Sequence, residues 1–256
     1  MKKLMIPLIF IFCSCMQEEA DELQPTPEST RIDSRLPIVK PGNDCLVAFY
    51  PFNGNANDMS SYANHGIVDG PVLTSDRNGY ANKAYYFDGL DDIIVAPDQS
   101  QLHLQDEFTI SSWILPETVK SQFIVRKGPV VNGAFATPYA LGMSGTRDIV
   151  FHLSPDGVYN SIQYRRYRTG IWYMLTVVYK NGTANIYINK TLVSQEVIPT
   201  GTFNYDAQPL LIGSRLQQIS NTFKGKIDEV RIYCKALTAR EVGTLHTETA
   251  PSPRGG

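Results

Sequence analysis

The chain has 256 residues, 43% of them hydrophobic and 19% charged, which suits one large β domain or two small domains and excludes a chain disordered throughout. The 23 Lys and Arg against 25 Asp and Glu leave a formal charge of −2, so nothing electrostatic draws it to DNA, RNA or an acidic membrane surface. Tyr (14) outnumbers Trp (2), and 19 Gly with 16 Pro suit short strands joined by tight turns better than helices.

Met1-Lys2-Lys3 is a short positive start, and Leu4 to Phe12 is apolar throughout. A bilayer-spanning helix needs about twenty residues, so this run reads as a signal-peptide core and not as an anchor. Phe12-Cys13-Ser14-Cys15 resembles the bacterial lipoprotein signal, with small Ser14 before a Cys15 that becomes the lipidated N-terminus. The alternative is an ordinary secretory signal with incidental cysteines. The acidic run Glu18-Glu19-Ala20-Asp21-Glu22 resembles the surface-export signal of lipoproteins in Bacteroidetes-type bacteria, or is a solvated charge run. Residues 16–44 are polar and Pro-rich and read as a flexible tether; at about 3.3 Å per residue it would hold a domain tens of ångströms from a membrane.

From Cys45 to about residue 247 the chain reads as one β domain, followed by a disordered tail at 248–256. Leu46–Tyr50, Ala84–Phe87 and Asp92–Val95 are short β-rich runs bounded by turn residues. Phe108 to Ile114 alternates apolar and polar, the period of a strand with one buried face. Phe123–Arg126, Tyr139–Met143 and Ile149–Leu153 follow. Trp172–Tyr179 and Ala184–Ile188 flank Asn181-Gly182, which favours the positive φ angles of a type I′ turn and predicts a hairpin. Leu210–Gly213 and Ile227–Tyr233 close the set. Thr238 with Glu241 three residues on is a capping box, and Leu237, Val242 and Leu245 give one apolar side, which predicts a short terminal helix. About a dozen strands and one helix suggest a two-sheet sandwich.

The strings LVAFYPFNGNANDMSSYANHG, YYFDGLDDIIV, FTISSWILPE, GIWYMLTVVYKNGTANIYINKTLV, LLIGS and FKGKIDEVRIYCKALTAREV, in that order, resemble the LamG-like jelly-roll family of the concanavalin A-like lectin/glucanase superfamily. The resemblance covers residues 45–247. It implies an all-β, two-sheet jelly roll used for binding carbohydrate or protein, without naming the ligand. Glucan hydrolases of the superfamily carry Glu-x-Asp-x-Glu on one strand, and this chain has no such string. Its nearest approach is Asp228-Glu229, whose adjacent acids are expected to point to opposite faces of a strand. His65, His103, His152 and His246 lack metal-ligand spacing, and no phosphate loop or Gly-x-Ser-x-Gly occurs.

In the topology that the resemblance implies, the first and last strands are antiparallel neighbours. With Cys45 opposite Cys234, paired residue numbers sum to 279, and Pro51 lies opposite Asp228 at the mouth of the loop that carries Asp58. Asp58 and Asp228 are then candidate ligands of a structural Ca²⁺, or else residues that bond the loop's own amides. Asp88 and Asp91 are weaker candidates, because Asp88-Gly89 reads as a turn. Cys45 and Cys234, the two cysteines left once Cys13 departs with the signal and Cys15 takes the lipid, form a disulfide or stay as buried free thiols. Tyr159, Tyr164, Arg166 and Tyr167 lie in a Tyr- and Arg-rich stretch suited to stacking on and bonding to an acidic glycan. The other reading is a strand whose tyrosines cover the sheet while its arginines face water. Trp113 and Trp172 fall in apolar strand patterns and read as core.

The expected protein is therefore an outer-membrane lipoprotein exposed at the cell surface, held only through its N-terminal lipid. Its jelly roll is expected to bind glycan without cleaving it. A module that docks an envelope or host protein is the rival, and a glycoside hydrolase with a non-standard acid pair is the third reading.

Overall fold

The computed structural model describes residues 45–128, 137–214 and 221–247. Cys15, the tether and the tail lie outside the described residues. The strands are β1 (Leu46–Tyr50), β2 (Ile67–Asp69), β3 (Val72–Thr74), β4 (Ala84–Asp88), β5 (Ile93–Ala96), β6 (Glu107–Pro116), β7 (Gln122–Lys127), β8 (Tyr139–Met143), β9 (Asp148–Leu153), β10 (Asn160–Arg165), β11 (Tyr173–Lys180), β12 (Thr183–Ile188), β13 (Thr191–Val197), β14 (Leu210–Ile212) and β15 (Lys224–Tyr233), followed by the helix α1 (Ala239–Thr247). They form two antiparallel sheets. Sheet A runs β13-β12-β11-β6-β15-β4-β3, with β1 also paired to β15; sheet B runs β10-β9-β8-β7-β14-β5-β2. The architecture is the all-β jelly-roll sandwich that the strand pattern and the resemblance imply.

The two sheets pack on a shared apolar core. Phe108 lies inside it, with the rings of Tyr139, Phe151, Tyr179 and Phe203 between 5.3 and 6.2 Å away, mostly tilted or edge-on. That geometry is the one the ring quadrupole favours. The β11–β12 hairpin turns on Asn181 and Gly182 at φ 44° and 85°, the left-handed pair that a type I′ turn requires. At α1, the Glu241 amide donates to Thr238 Oγ1 (3.2 Å) and the Thr238 amide donates to Glu241 Oε2 (2.7 Å), a closed capping box. Short, exposed β2 and β3 and the edge strand β13 carry no clean alternation, which hid them in the sequence.

Cys45 and Cys234 are joined by a disulfide with their Cα atoms 5.2 Å apart. Leu46 faces Tyr233, as a sum of 279 requires, but past an irregularity at Val47 the pairs become Ala48–Ile232, Phe49–Arg231 and Tyr50–Val230. Their numbers sum to 280, so Asp228 does not come opposite Pro51; it pairs with Trp113 on β6 instead. A one-residue slip is enough to redirect every later side chain.

A second irregularity corrects another expectation. The β15–β6 register breaks between Asp228 and Arg231, and Glu229 sits at φ 49°. A bulge of this kind interrupts the strict alternation. Ile227, Val230 and Ile232 all reach the core, while Asp228 and Glu229 lie together on the outward side of sheet A, both meeting Arg77. The acids do not point to opposite faces.

Candidate functional site

The two outward faces of the sandwich differ. On sheet A, Leu237, Val242 and Leu245 of the terminal segment close over Leu46, Trp113, Met174, Val178, Tyr187 and Tyr233. That face is occupied by the chain itself. On sheet B, Ile149, Phe151 and Leu153 of β9 point into the core, so Val150 and His152 point outward. Register carries the outward row across the sheet, from His152 to Ala140 to Arg126 and from Val150 to Gly142 to Phe123.

Three of these residues, Phe123, Val150 and His152, line a pocket of about 220 Å³, with Gln122, Ser144 and Asn221 among its polar groups. His152 Nδ1 lies 2.6 Å from the Tyr159 hydroxyl. Burial, and then the nearby Arg126 charge, lowers His152 to about 4, so the ring is neutral at pH 7. Arg126 is itself buried; its Nε and Nη2 donate to Thr137 Oγ1 at 3.2 and 2.8 Å, and its guanidinium lies 5.2 Å from the Phe123 ring centre. The pocket thus offers an aromatic wall, a neutral imidazole and amide and hydroxyl groups. None of its lining residues is a carboxylate.

The candidate metal ligands look to different partners. Asp58 Oδ1 accepts from the amides of Phe49 and Ser60, both at 2.8 Å, and Oδ2 accepts from Ser60 Oγ (2.8 Å) and the Asn64 amide (2.9 Å). Four donors saturate that carboxylate, so Asp58 bonds its own loop. Asp228 is buried beside Arg77, whose Nη1 lies 3.5 Å from Asp228 Oδ2 and 3.4 Å from Glu229 Oε1, while Arg231 donates to Glu229 Oε2 at 2.7 Å. Burial, then the Glu229 charge, pushes Asp228 up to about 8 against the pull of Arg77. The two carboxylates thus meet different partners: Asp58 the amides and hydroxyl of its own loop, Asp228 the Arg77 guanidinium. Asp88, Asp91 and Asp92 lie within 4.8 Å of one another. Two of them are turn residues: Asp92 Oδ2 accepts the Asp88 amide and Asp88 Oδ1 accepts the Leu90 amide, both at 2.7 Å.

The sequence pattern of a laminin G family, in the concanavalin A-like lectin/glucanases superfamily, matches residues 87–243. The chain belongs to that family. Comparison with curated proteins finds no match. Among solved structures, it is similar to domain 4 of AbnA, a GH43 extracellular arabinanase from Geobacillus stearothermophilus, in complex with arabinotriose (TM-score 0.62, 21% identity, covering 79% of this chain and 98% of that one). It is similar to the binding domain of Paraclostridial Mosquitocidal Protein 1 (0.65, 17%, 80% and 52%). It is also similar to botulinum neurotoxin type C, whose cell entry is described as dependent on two ganglioside molecules (0.61, 18%, 80% and 51%). The chain spans about half the length of the toxin chains it matches. At these identities the likeness is one of fold.

In this laminin G domain the Tyr- and Arg-rich stretch is divided. Tyr159 stands at the sheet B pocket, 43% exposed. Tyr164 pairs with inward-facing Ile149 and so lies on the core side of the edge strand β10. Tyr167 is buried in the core, its hydroxyl donating within reach of the Thr118 and Ser144 carbonyls at 3.3 and 3.4 Å, which withdraws it from a surface ligand. Arg166 is exposed at φ 101°. The stretch therefore does not assemble one site. Trp113 is buried on the outward side of sheet A. Phe123, Arg126 and His152 escaped sequence reasoning because their strands read as core. The period-two pattern of Ile149, Phe151 and Leu153 was the signal that could have placed His152 outward.

Proposed function

We propose that residues 45–247 form a lectin-like domain that binds carbohydrate without cleaving it, on the outward face of sheet B. The observation that carries this reading is the pocket walled by Phe123 and His152 beside Tyr159, with no carboxylate in its lining. Sugar rings stack on aromatic faces while amides and hydroxyls bond their hydroxyl groups. Glycoside hydrolysis needs a pair of carboxylates across the scissile bond. The adjacent acids Asp228 and Glu229 are buried under Arg77, closed to a polysaccharide. The arabinotriose complex and the ganglioside-dependent toxin lend the fold's use in glycan binding.

Titration with arabinotriose and with ganglioside-bearing vesicles tests the reading. One of them is expected to bind, Tyr159→Ala to weaken it about tenfold, close to 1.4 kcal/mol, and no reducing ends to be released. Unchanged binding by Tyr159→Ala and His152→Ala would remove the site from sheet B. Lipid attachment at Cys15, with display at the outer-membrane surface, belongs to the same proposal and rests on Ser14-Cys15 after the apolar run. Clickable fatty acid should label the wild type and leave Cys15→Ala unlabelled; a labelled mutant refutes that choice of cysteine.

A further inference from the structure

A second and larger concavity lies at the end of the sandwich beside the disulfide. It measures about 670 Å³, inside the range of roughly 300–1,000 Å³ for small-ligand sites. Its walls come from the start of β1, the loop after β1, the stretch between β5 and β6, the β11–β12 turn and the end of β15.

Each wall is held in place by bonds within the chain. The loop after β1 is organised by Asp58, whose oxygens bind Ser60, and Ser60 Oγ accepts the Tyr62 amide at 3.3 Å. That hub sets out the Tyr62 ring, 52% exposed, along the groove. The hairpin tip is hooked by the Asn181 amide donating to the Asp106 carbonyl at 2.8 Å. The stretch between β5 and β6 is clamped from behind. Gln105 bonds both the amide and the carbonyl of Phe203, and His103 bonds Asp98 while stacking on Tyr205 at 4.6 Å. Lys180 and Glu107 neutralise each other at 3.4 Å. The side chains of Gln101, Asp106 and Asn181 line the groove, and no described residue bonds them. Elsewhere, by contrast, the loop acids Asp58, Asp76 and Asp88 each accept from nearby amides.

We propose that this groove is a second saccharide site, one that takes a neutral oligosaccharide: a sugar ring stacks on Tyr62 while Gln101, Asp106 and Asn181 bond its hydroxyls. An exposed ring on a fixed loop offers stacking area at little entropic cost. The Asp106 carboxylate accepts strongly from hydroxyls and, with Glu107 already paired to Lys180, is the charge that disfavours sialic and uronic acids there. This inference rests on the carbohydrate-binding reading but not on its location at sheet B.

The experiment titrates the intact protein with arabinotriose, cellotetraose and mannotriose by calorimetry and saturation-transfer NMR, using Tyr62→Ala, Tyr62→Phe, Asp106→Ala and Tyr159→Ala. At least one neutral probe is expected to bind. Tyr62→Ala and Asp106→Ala should each weaken it about tenfold or more, while Tyr62→Phe, which keeps the ring, stays within about threefold. Tyr62→Ala should melt as the wild type does, because the ring is half exposed. Binding that survives Tyr62→Ala and fails with Tyr159→Ala overturns the groove and leaves the sheet B reading standing. Failure of every probe, neutral and ganglioside alike, with the wild type overturns both.

Discussion

The outward faces of sheets A and B are built from the same alternating strands, yet one is sealed and the other open. On sheet A the polar groups are matched among themselves: Arg77 lies against Asp228 and Glu229, and Glu229 also holds Arg231. Arg77 lies 4.3 Å from the Trp113 ring centre, and Trp113 stacks with His246 of α1 at 5.3 Å. Apolar contacts from Val242 and Leu245 finish the cover. On sheet B the corresponding place holds a neutral His152, a half-exposed Tyr159 and a pocket. The difference teaches that the adjacent acids Asp228 and Glu229, the first place to seek catalysis, serve the packing of sheet A.

Uncovering sheet A should have the largest effect. Leu245, on the buried side of α1, is 1% exposed, and Leu245→Ala should cost about 2–5 kcal/mol, the usual range for a buried leucine. A lower urea midpoint with unchanged affinity for a bound glycan probe would keep the two faces independent, whereas a parallel loss of affinity would couple them. A smaller effect follows from Asp228. Its ordinary value is 3.8 and its folded value about 8, so between those pH values the folded chain holds a proton that the unfolded chain has released. Raising pH across that window therefore removes stability. Asp228→Asn should flatten the decline in melting temperature between pH 5 and about 8; parallel curves for variant and wild type would count against the buried, raised carboxylate. The smallest effect belongs to the open face. His152 falls from 6.5 to about 4, so the unfolded chain takes up its proton first, and acidification across that interval costs stability. NMR of the imidazole should show no titration of His152 above about pH 5, and a midpoint near 6.5 would place the ring in water.

Much of the fold was legible in the residues. Ile149, Phe151 and Leu153 announce a one-sided strand, Asn181-Gly182 a type I′ turn, and Thr238 with Glu241 the start of α1. The site was legible only in pieces. Tyr159 reaches it, but Tyr164 and Tyr167 are turned inward by the register of β10 and by the core behind it. Phe123 and Arg126 sit in a strand, QFIVRK, whose composition does not reveal which face is covered.

The sequence by itself determined the local conformations and the two-sheet class, because turn φ preferences, capping and period-two burial act over a few neighbouring residues. Tertiary structure alone decided three things. It set the irregularity at Val47 that separates Asp58's partners from Asp228, and the bulge at Glu229 that turns two adjacent acids to one face. It also gathered a groove from five distant stretches of chain. The physical reason is common to all three: a one-residue slip in a ladder barely changes the local pattern of apolar and polar residues, but it redirects side chains whose partners lie far away in the sequence.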